Sequence, residues 1–430
     1  MKRVQRILLA LGFLALLIIS WAVAISARSN AEKQLELIEQ AANLLEDDIY
    51  IRAVPLLEEA AAYNASYTLS AETMLKTAYL GLIDKAGYRR KYTNLLDKQM
   101  SRKDASSEVY VEAARYYLAL AKLPDALSVL KAGIEKTGGA ELLALYEENR
   151  YAYQLSRNAY EEVTAIYGGA IQVQSHGLWG IAKSDGSPLI PCEYEKISTF
   201  SIDRAIAKKG SEIFAVDSAN NRLAKMHENA GDFGNYAFDH LPVFIAGSWK
   251  RYNGELEPGN MSFEAFGMYS QGYAAAKENG KWGIIDAGAD WLIPPSFDEL
   301  IMDELGRCYE QNALFFIQTG AVYLFSQQRV LAETYEDAKP FGDAYAAVKK
   351  DGKWGFIDCF GTARIEFIFE DALSFGEKLA AVKWHDLWGY IDINGNIVIE
   401  PVFLQAKSFY NGSAPVLTER GWQFITLIDH

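Results

Sequence analysis

Residues with catalytic or metal-binding chemistry are sparse here, and their spacing organises little. The five histidines, His176, His227, His240, His385 and His430, show no i, i+4 pairing with glutamate and no cysteine at a zinc-ligand spacing. The nearest approach to a nucleophile elbow, Gly267-Met268-Tyr269-Ser270-Gln271-Gly272, misses the Gly-x-Ser-x-Gly pattern by one position. Asp392-Ile393-Asn394-Gly395-Asn396 is rich in oxygen ligands but lacks the distal bidentate glutamate of a calcium loop, so a hairpin turn is the better reading. Acidic pairs such as Asp47-Asp48 and Glu58-Glu59 fall on predicted helices, where they face water. Cys192, Cys308 and Cys359 are too few and too scattered for a disulfide framework; small buried thiols are expected, with one opportunistic pair as the alternative. No catalytic residue, cofactor or metal is therefore assigned, although a site assembled from distant segments would leave no local motif.

Aromatic side chains offer the other chemistry. They make up 13% of the chain, and in an exported protein such rings can stack on sugars. Most stand in columns. Taking Trp179, Phe214, Trp249, Trp282, Tyr323, Trp354, Trp388 and Trp422 as anchors, the spacings are 35, 35, 33, 41, 31, 34 and 34. Thirteen residues before an anchor stand Tyr236, Tyr269, Phe341, Phe375 and Phe409; Phe200 and Tyr309 each miss that column by one. Aromatics that recur once per unit are what packing between stacked units requires. Trp179, Trp249, Trp282, Trp354, Trp388, Trp422, Phe341, Phe375 and Phe409 are accordingly read as structural anchors. Trp291, Trp384 and Tyr410 break the pattern and are the candidates for binding.

The elements that carry these columns are short strands. Ala346-Ala347-Val348-Lys349, Trp354 to Ile357 and Ile397-Val398-Ile399 are β-rich runs between turn residues such as Asp358 with Gly361 and Asp392 with Asn394-Gly395. Pro191, Pro294 and Pro401 follow their tryptophans by twelve or thirteen residues and mark a strand edge, since proline has no N–H for a ladder. The expected β domain, 168–430, is a β-meander array, either an open solenoid or a propeller-like ring of about seven units with three-stranded blades. The apolar run Trp422 to Ile428 needs a partner strand, and the segment Ile171 to Ile181 is the expected one.

Gly352-Lys353-Trp354-Gly355-Phe356-Ile357-Asp358, continuing through Phe375 and Ala380-Ala381-Val382-Lys383, together with Gly280 to Asp286, resembles the bacterial WG repeat, also called the KWG repeat. The resemblance covers roughly residues 170–428. Phe214 and Tyr323 depart from it, as does the loss of glycine after Trp249 and Trp422. It implies a repeat architecture and no particular reaction.

Upstream, Ile7 to Ile25 is nineteen residues without a charge, preceded by Lys2, Arg3 and Arg6. As a helix it would be about 28 Å long, close to the thickness of a bilayer core. Residues 1–28 are therefore expected to be a single-pass anchor with a cytoplasmic N-terminus and the rest of the chain outside the cytoplasm. A signal peptide cleaved after Ala22-Val23-Ala24 is the alternative. Residues 29–167 carry helical stripes: Leu35, Ile38, Ala42 and Leu45; Ala53, Leu57 and Ala60; Tyr88, Tyr92 and Leu95; Ala126, Leu130 and Gly133. The last three begin 35 and 38 residues apart, and with Tyr110 to Ala126 they resemble degenerate tetratricopeptide helix pairs.

A net charge of -14 argues against a nucleic-acid partner. The basic stretch from Lys85 to Lys103 is read as a solvated helix face. The fold class expected is thus an N-terminal transmembrane helix, an α-helical hairpin domain and a WG-repeat β domain. Together they imply a membrane-anchored scaffold for protein partners. The alternatives are a module for cell-wall polysaccharide or, less favoured, an enzyme with a site between repeats.

Overall fold

A computed structural model describes residues 20, 26, 28–226, 230–343 and 345–429. The expected anchor Ile7 to Ile25 lies outside them, except Ser20. No helix among the described residues is long and apolar enough to cross a membrane. The chain divides into two compact units, at Asn149 and Arg150.

The first unit holds seven helices among the described residues: α1 (28–46), α2 (Tyr50–Ala62), α3 (Thr68–Gly81), α4 (Tyr88–Met100), α5 (Ser107–Ala119), α6 (Leu123–Thr137) and α7 (Ala140–Asn149). Neighbours in sequence pack on one another, α2 on α3 and α5 on α6 most extensively. Ala53, Leu57, Ala60, Tyr92, Leu95, Ala126 and Leu130 are buried as their periodicity predicts. In α1 the buried face is instead Gln34, Ile38 and Ala41, while Leu35 is exposed. Gln34 takes that place because its amide donates to Ala60 O and Thr68 Oγ1 and accepts from Tyr67 N, satisfying the backbone at the α2–α3 turn. The basic stretch is largely solvent-exposed, as expected, and three of its cations also find carboxylate partners. Lys91 pairs with Glu58, and Lys98 and Arg102 pair with Glu72, a fully buried carboxylate that also accepts from Gln99. Burial pushes the Glu72 carboxyl up, and the bonds from Gln99, Arg102 and Lys98 outweigh it and leave it below its ordinary value.

The second unit is an eight-bladed β-propeller. Its 32 strands, from β1 (Tyr153–Leu155) to β32 (Gly421–Leu427), form eight four-stranded antiparallel sheets. Blades 1 to 7 span 162–194, 196–225, 232–263, 265–297, 299–335, 337–369 and 371–403; blade 8 takes three strands from 405–427 and its fourth from β1. A unit of about 34 residues holds four strands because the innermost is only two residues long, as in Asp371–Ala372. Three-stranded blades and a ring of seven are thereby corrected. The β unit also begins before residue 168: Gly168 and Gly169, both at positive φ, turn the chain inside blade 1 rather than introducing it.

Closure uses β1. Tyr153, Gln154 and Leu155 pair with Leu427, Thr426 and Ile425. The expected partner, Ile171 to Ile181, is already committed to the second and third strands of blade 1, where Ile171 pairs with Ala182 and Gln172 with Ile181. It meets β32 only through side chains, Ile171 and Val173 sharing an apolar cluster with Trp422 and Phe424. Every neighbouring pair of blades shares such an apolar cluster, including the last with the first, so the ring is closed and no open array is present.

The ladder explains the motif itself. In blades 1, 4, 6 and 7 the glycine after tryptophan lies where the fourth strand bulges across the third. A Cβ at Gly389 would stand 2.4 Å from Ile399 O, and one at Gly283 2.4 Å from Ile293 O. Phe214 and Tyr323 are not the tryptophan equivalents. The hairpin registers put Ile213 opposite Lys208 and Val322 opposite Ile317, as Trp388 is opposite Lys383. Phe214 and Tyr323 fill the glycine place, and each pairs directly with the fourth strand, to Lys225 and Thr334. With Ile213 and Val322 as anchors, Phe200 and Tyr309 fall on the thirteen-residue column.

The turn after the third strand is also shared. Asp392 Oδ1 accepts from the amides of Asn394 and Asn396, both at 2.9 Å, and its Oδ2 from the Asn396 side chain at 3.1 Å. That carboxylate is occupied by its own hairpin, and no group able to hold a metal occurs among the described residues. The three thiols are free, Cys308 fully inside blade packing.

Candidate functional site

The unusual place in the ring is the axial loop of blade 5. In the other seven blades the innermost strand ends three residues before the column residue: Val163 to Ile166, Phe266 to Tyr269 and Ala372 to Phe375, for example. In blade 5 the strand ends at Leu300 and the column residue is Tyr309, a step of nine and thus an insertion of six. The insertion folds as a copy of the blade turn. Asp303 N donates to Arg307 O, Gly306 N donates to Asp303 O, and Asp303 Oδ1 accepts from Leu305 N and Arg307 N, the pattern that Asp358 makes with Gly361, Phe360 and Thr362.

This turn reaches toward the axis. Leu305 is buried in a cluster with residues of blades 3 and 4, and Ala165 and Tyr167 of blade 1, which stands opposite blade 5 in a ring of eight, pack against the same cluster. The Leu305 carbonyl accepts from Asn235 Nδ2 of blade 3 at 3.2 Å, and Gly306 O accepts from Met268 N of blade 4 at 3.0 Å. Asn235 Oδ1 in turn accepts from Gln172 Nε2 and Thr199 N. From blade 8, Lys407 Nζ reaches Glu304 Oε2 at 2.5 Å.

Next to this turn, the residue after the column makes one equivalent ring position: Tyr167, Ser201, Ala237, Ser270, Glu310, Gly342, Gly376 and Tyr410. Seven of these bridge to the residue three further on in the same way, as Glu310 does to Ala313, so the backbone is uniform while the side chains are not. Ser270 Oγ donates to Glu310 Oε1 at 2.6 Å. Burial pushes the Glu310 carboxyl above its ordinary value, against the Ser270 hydrogen bond and the nearby Arg307 charge. Arg307 is held by Asp303 through Nε at 2.6 Å; burial opposes its charge, and Asp303 with Glu310 more than restores it. Burial pushes the Tyr167 hydroxyl up; Arg307 and Ser201 oppose that, while Tyr410 and Glu310 add to it. The mouth thus combines two phenols, two hydroxyls, a half-buried carboxylate and a tethered guanidinium.

The residues singled out from sequence do not come together here. Trp354, Trp388 and Trp422 are buried, as are Phe341, Phe375 and Phe409; Trp179, Trp249 and Trp282 are half-buried at blade seams. Trp291 packs over Gly283 and edge-on to Phe263, and Trp384 packs edge-on to Phe369, so both join the seams they were expected to leave free. Only Tyr410 is exposed, at the axial mouth. Asp303, Arg307, Glu310 and Tyr167 were missed, although the 41-residue spacing marked the unit that carries three of them.

A closed ring of four-stranded blades bearing a Trp-Gly strand defines a repeat propeller. The family described as "WG containing repeat" matches residues 179–212, 261–282, 327–354, 354–383 and 388–422, and the chain is a WG-repeat protein. That description names a repeat and no reaction. No curated protein matches the sequence. Among solved structures, the Cps50 (Swd1) β-propeller domain of Myceliophteria thermophila is 12% identical, covering 58% of this chain and 99% of that one, with a TM-score of 0.32. The Pan2 WD40 domain of Neurospora crassa is 8% identical over 55% and 89% of the two chains, with a TM-score of 0.31. The N-terminal domain of Nup159 is 11% identical over 65% and 91%, with a TM-score of 0.28.

Proposed function

We propose that this WG-repeat protein is a binding scaffold for a protein partner, anchored by Ile7 to Ile25 and displaying its propeller outside the cytoplasm. The observation that carries the reading is the blade 5 insertion, which bonds to blades 3, 4 and 8 and brings to the axis side chains the repeat does not require. Tyrosine and arginine on a rigid rim are the residues that dominate protein interfaces. A helical unit of consecutive packed pairs, read as tetratricopeptide-like, adds a second surface of the kind that holds partners. Against a cell-wall polysaccharide stands the scatter of Trp291, Trp384 and Tyr410, of which only Tyr410 offers an exposed ring.

Two assays run together test it. Affinity capture from solubilised membranes should recover a stoichiometric protein partner, and sedimentation with purified cell wall should leave the protein in solution. Co-sedimentation with the wall and no captured protein would replace this reading. Protease added to intact cells, or to cells with a permeabilised outer membrane, should digest residues beyond Arg28; protection would reverse the topology.

A further inference from the structure

In blades 1, 2, 4, 6 and 7 the residue before the innermost strand is a glutamate whose carboxylate caps the hairpin between the second and third strands. Glu161 accepts from His176 N and Gly177 N, Glu195 from Gly210 N, Glu264 from Gly280 N, Glu336 from Gly352 N and Glu370 from Asp386 N, at 2.8 to 3.0 Å. In blade 8 the same place is Leu404. Its N–H donates to Leu417 O as that of Glu370 donates to Lys383 O, so the backbone is kept and only the carboxylate is gone. The blade 8 hairpin satisfies itself instead, Arg420 N donating to Thr418 Oγ1 at 3.1 Å. That accounts for the loss of a glutamate. It does not account for a leucine that is 50% exposed.

Two more aliphatic residues flank Leu404. Val402, 56% exposed, stands where blades 1, 3, 4 and 5 have Glu193, Ser262, Ser296 and Thr334. Leu387, half-buried, stands where blades 2, 4 and 6 have Glu212, Lys281 and Lys353. No other seam is aliphatic at all three places. With Thr418, Glu419, Arg420 and Gln423 they line a cavity of about 510 Å³, a volume typical of ligand sites. Single exposed aliphatics are ordinary, whereas a concave group of them at positions the repeat keeps polar marks a binding surface. The polar floor asks nothing of a ligand: Gln423 is buried, its Nε2 donates to Ser156 O at 2.6 Å, and its Oε1 accepts from Thr418 Oγ1 at 2.8 Å. Arg420 is the unspent group. It is exposed, its Nη2 reaches Arg157 O at 3.4 Å, and no carboxylate stands within ion-pair distance of it among the described residues.

We propose that this cavity takes the carboxy-terminal residue of a partner protein, its aliphatic side chain against Leu387, Val402 and Leu404 and its terminal carboxylate on the Arg420 guanidinium. Five blades place a carboxylate at this hairpin from within the chain; in blade 8 it arrives from outside, with a guanidinium as donor in place of the turn amides. A guanidinium with free N–H groups can hold a carboxylate through two parallel bonds. Glu419 lines the same cavity, so a second negative charge on the ligand is repelled and a monoanion is selected. The walls set the other requirement. An aspartate or glutamate side chain carries too little hydrocarbon to cover three aliphatic residues, whereas a chain ending in leucine, isoleucine or valine brings both groups on one residue.

The inference rests on the scaffold reading only in taking a protein as the source of the ligand. Fluorescence anisotropy on the full-length protein uses the peptide Gly-Ser-Gly-Ala-Leu, labelled at its amino end and with a free carboxylate. The same peptide as its carboxamide, a peptide ending in serine, and octanoate as competitor are the comparisons. The leucine acid should bind, the carboxamide about ten-fold or more weakly, and the serine acid several-fold more weakly. Octanoate should compete less well than unlabelled peptide. Arg420→Met should weaken binding about ten-fold or more, and Arg420→Lys by less. Leu404→Glu gives blade 8 the glutamate of its five counterparts; it should melt like the parent and lose the peptide, because the cavity then holds a carboxylate of its own. Equal binding of acid and carboxamide, or an undiminished signal in Arg420→Met, would overturn the carboxylate site. Equal binding of the serine peptide, or undiminished binding by Leu404→Glu, would overturn the aliphatic walls. Tighter binding of octanoate would overturn the assignment to a protein terminus. If Leu404→Glu is destabilised, the Arg420 variants decide. A parent protein that captures no partner yet binds the peptide loses the scaffold and keeps the cavity; one that captures its partner and leaves the peptide free loses the cavity and keeps the scaffold.

Discussion

Blade 7 and blade 5 share a strand order and a turn design and use them for opposite ends. In blade 7 the tryptophan, the glycine and the column residue Phe375 are all present; Trp388, Tyr390 and Phe409 pack together at the seam with blade 8. In blade 5 the tryptophan has become Val322, the glycine Tyr323, and six residues have entered the axial loop. Blade 5 still folds as four strands because Phe315 stacks on Phe341 at 5.4 Å and Phe316 on Tyr323 at 5.5 Å, restoring at neighbouring positions the aromatic area lost at the anchor. Where a repeat obeys its pattern it is building the ring. Where it departs and compensates, it has been released to carry something else.

The largest effect tests what the regular blades share, which is the closed seam. Deleting Gly421 to His430 removes β32, leaves β1 without a partner and exposes Val163, Ile171 and Val173 of blade 1. The propeller should lose its cooperative melting transition, followed by near-ultraviolet circular dichroism. A truncated protein that melts like its parent would show that the last strand frays without consequence and that the blades fold independently.

Within the ring, Trp388→Ala should destabilise by about 3 to 5 kcal/mol in denaturant titrations, since the side chain is buried and its cavity is walled by rigid strands. Val322→Ala in blade 5 should cost about 1 to 3 kcal/mol, because a smaller side chain is removed from a seam whose aromatic area lies elsewhere. Equal losses at the two sites would erase the distinction between the blades. Excising Met302 to Arg307 comes next: Ile301 would then join Cys308 at the spacing of every other blade. The ring should still fold, with a loss of about 1 to 3 kcal/mol from Leu305 and Asn235, while partner capture disappears. Unfolding on excision would make the insertion a structural part and sink its functional reading.

The ring was legible because tryptophan and column aromatics recur, and their spacing survives drift in every other residue. The number of strands per blade was not, because a two-residue strand such as Glu162–Val163 carries no period of its own and exists only by pairing with its neighbour. The closing strand was misplaced for a related reason. Tyr153–Leu155 bears no repeat signature, since it completes blade 8 from the far end of the unit. Phe214 and Tyr323 were taken for anchors because an aromatic one place away from a missing tryptophan looks like a shifted one; only hairpin register shows that they point to the other face. In α1 an amphipathic reading favoured Leu35 over Gln34, because a buried glutamine is explained by backbone groups it satisfies, which no single-helix pattern contains. The axial site was invisible for a physical reason: its members come from blades 1, 2, 4, 5 and 8, up to 243 residues apart from Tyr167 to Tyr410.

The smallest effect is the sharpest comparison, since it sets one carboxylate from each blade against the other. Asp392 of blade 7 is pushed up by burial, but the Asn396 side chain and the Asn394 and Asn396 amides outweigh that and hold it below its ordinary value. A depressed carboxylate contributes stability above its unfolded pKa, and that contribution is lost as pH falls through the folded one. Asp392→Asn should therefore melt below the parent at neutral pH, by a few degrees, and the gap should close in acid. Glu310 of blade 5 is raised, chiefly by burial. Its contribution is full below the unfolded pKa and is lost as pH rises through the folded one, so at neutral pH the charged form strains the site it occupies. Glu310→Gln should accordingly melt at or slightly above the parent at neutral pH, and the difference should move in the parent's favour as pH is lowered. Melting temperatures of the two variants against pH should slope in opposite directions relative to the parent. Parallel slopes would mean that Glu310 is one more turn carboxylate, stabilising the ring like Asp392, and that nothing in blade 5 had been set aside for a ligand.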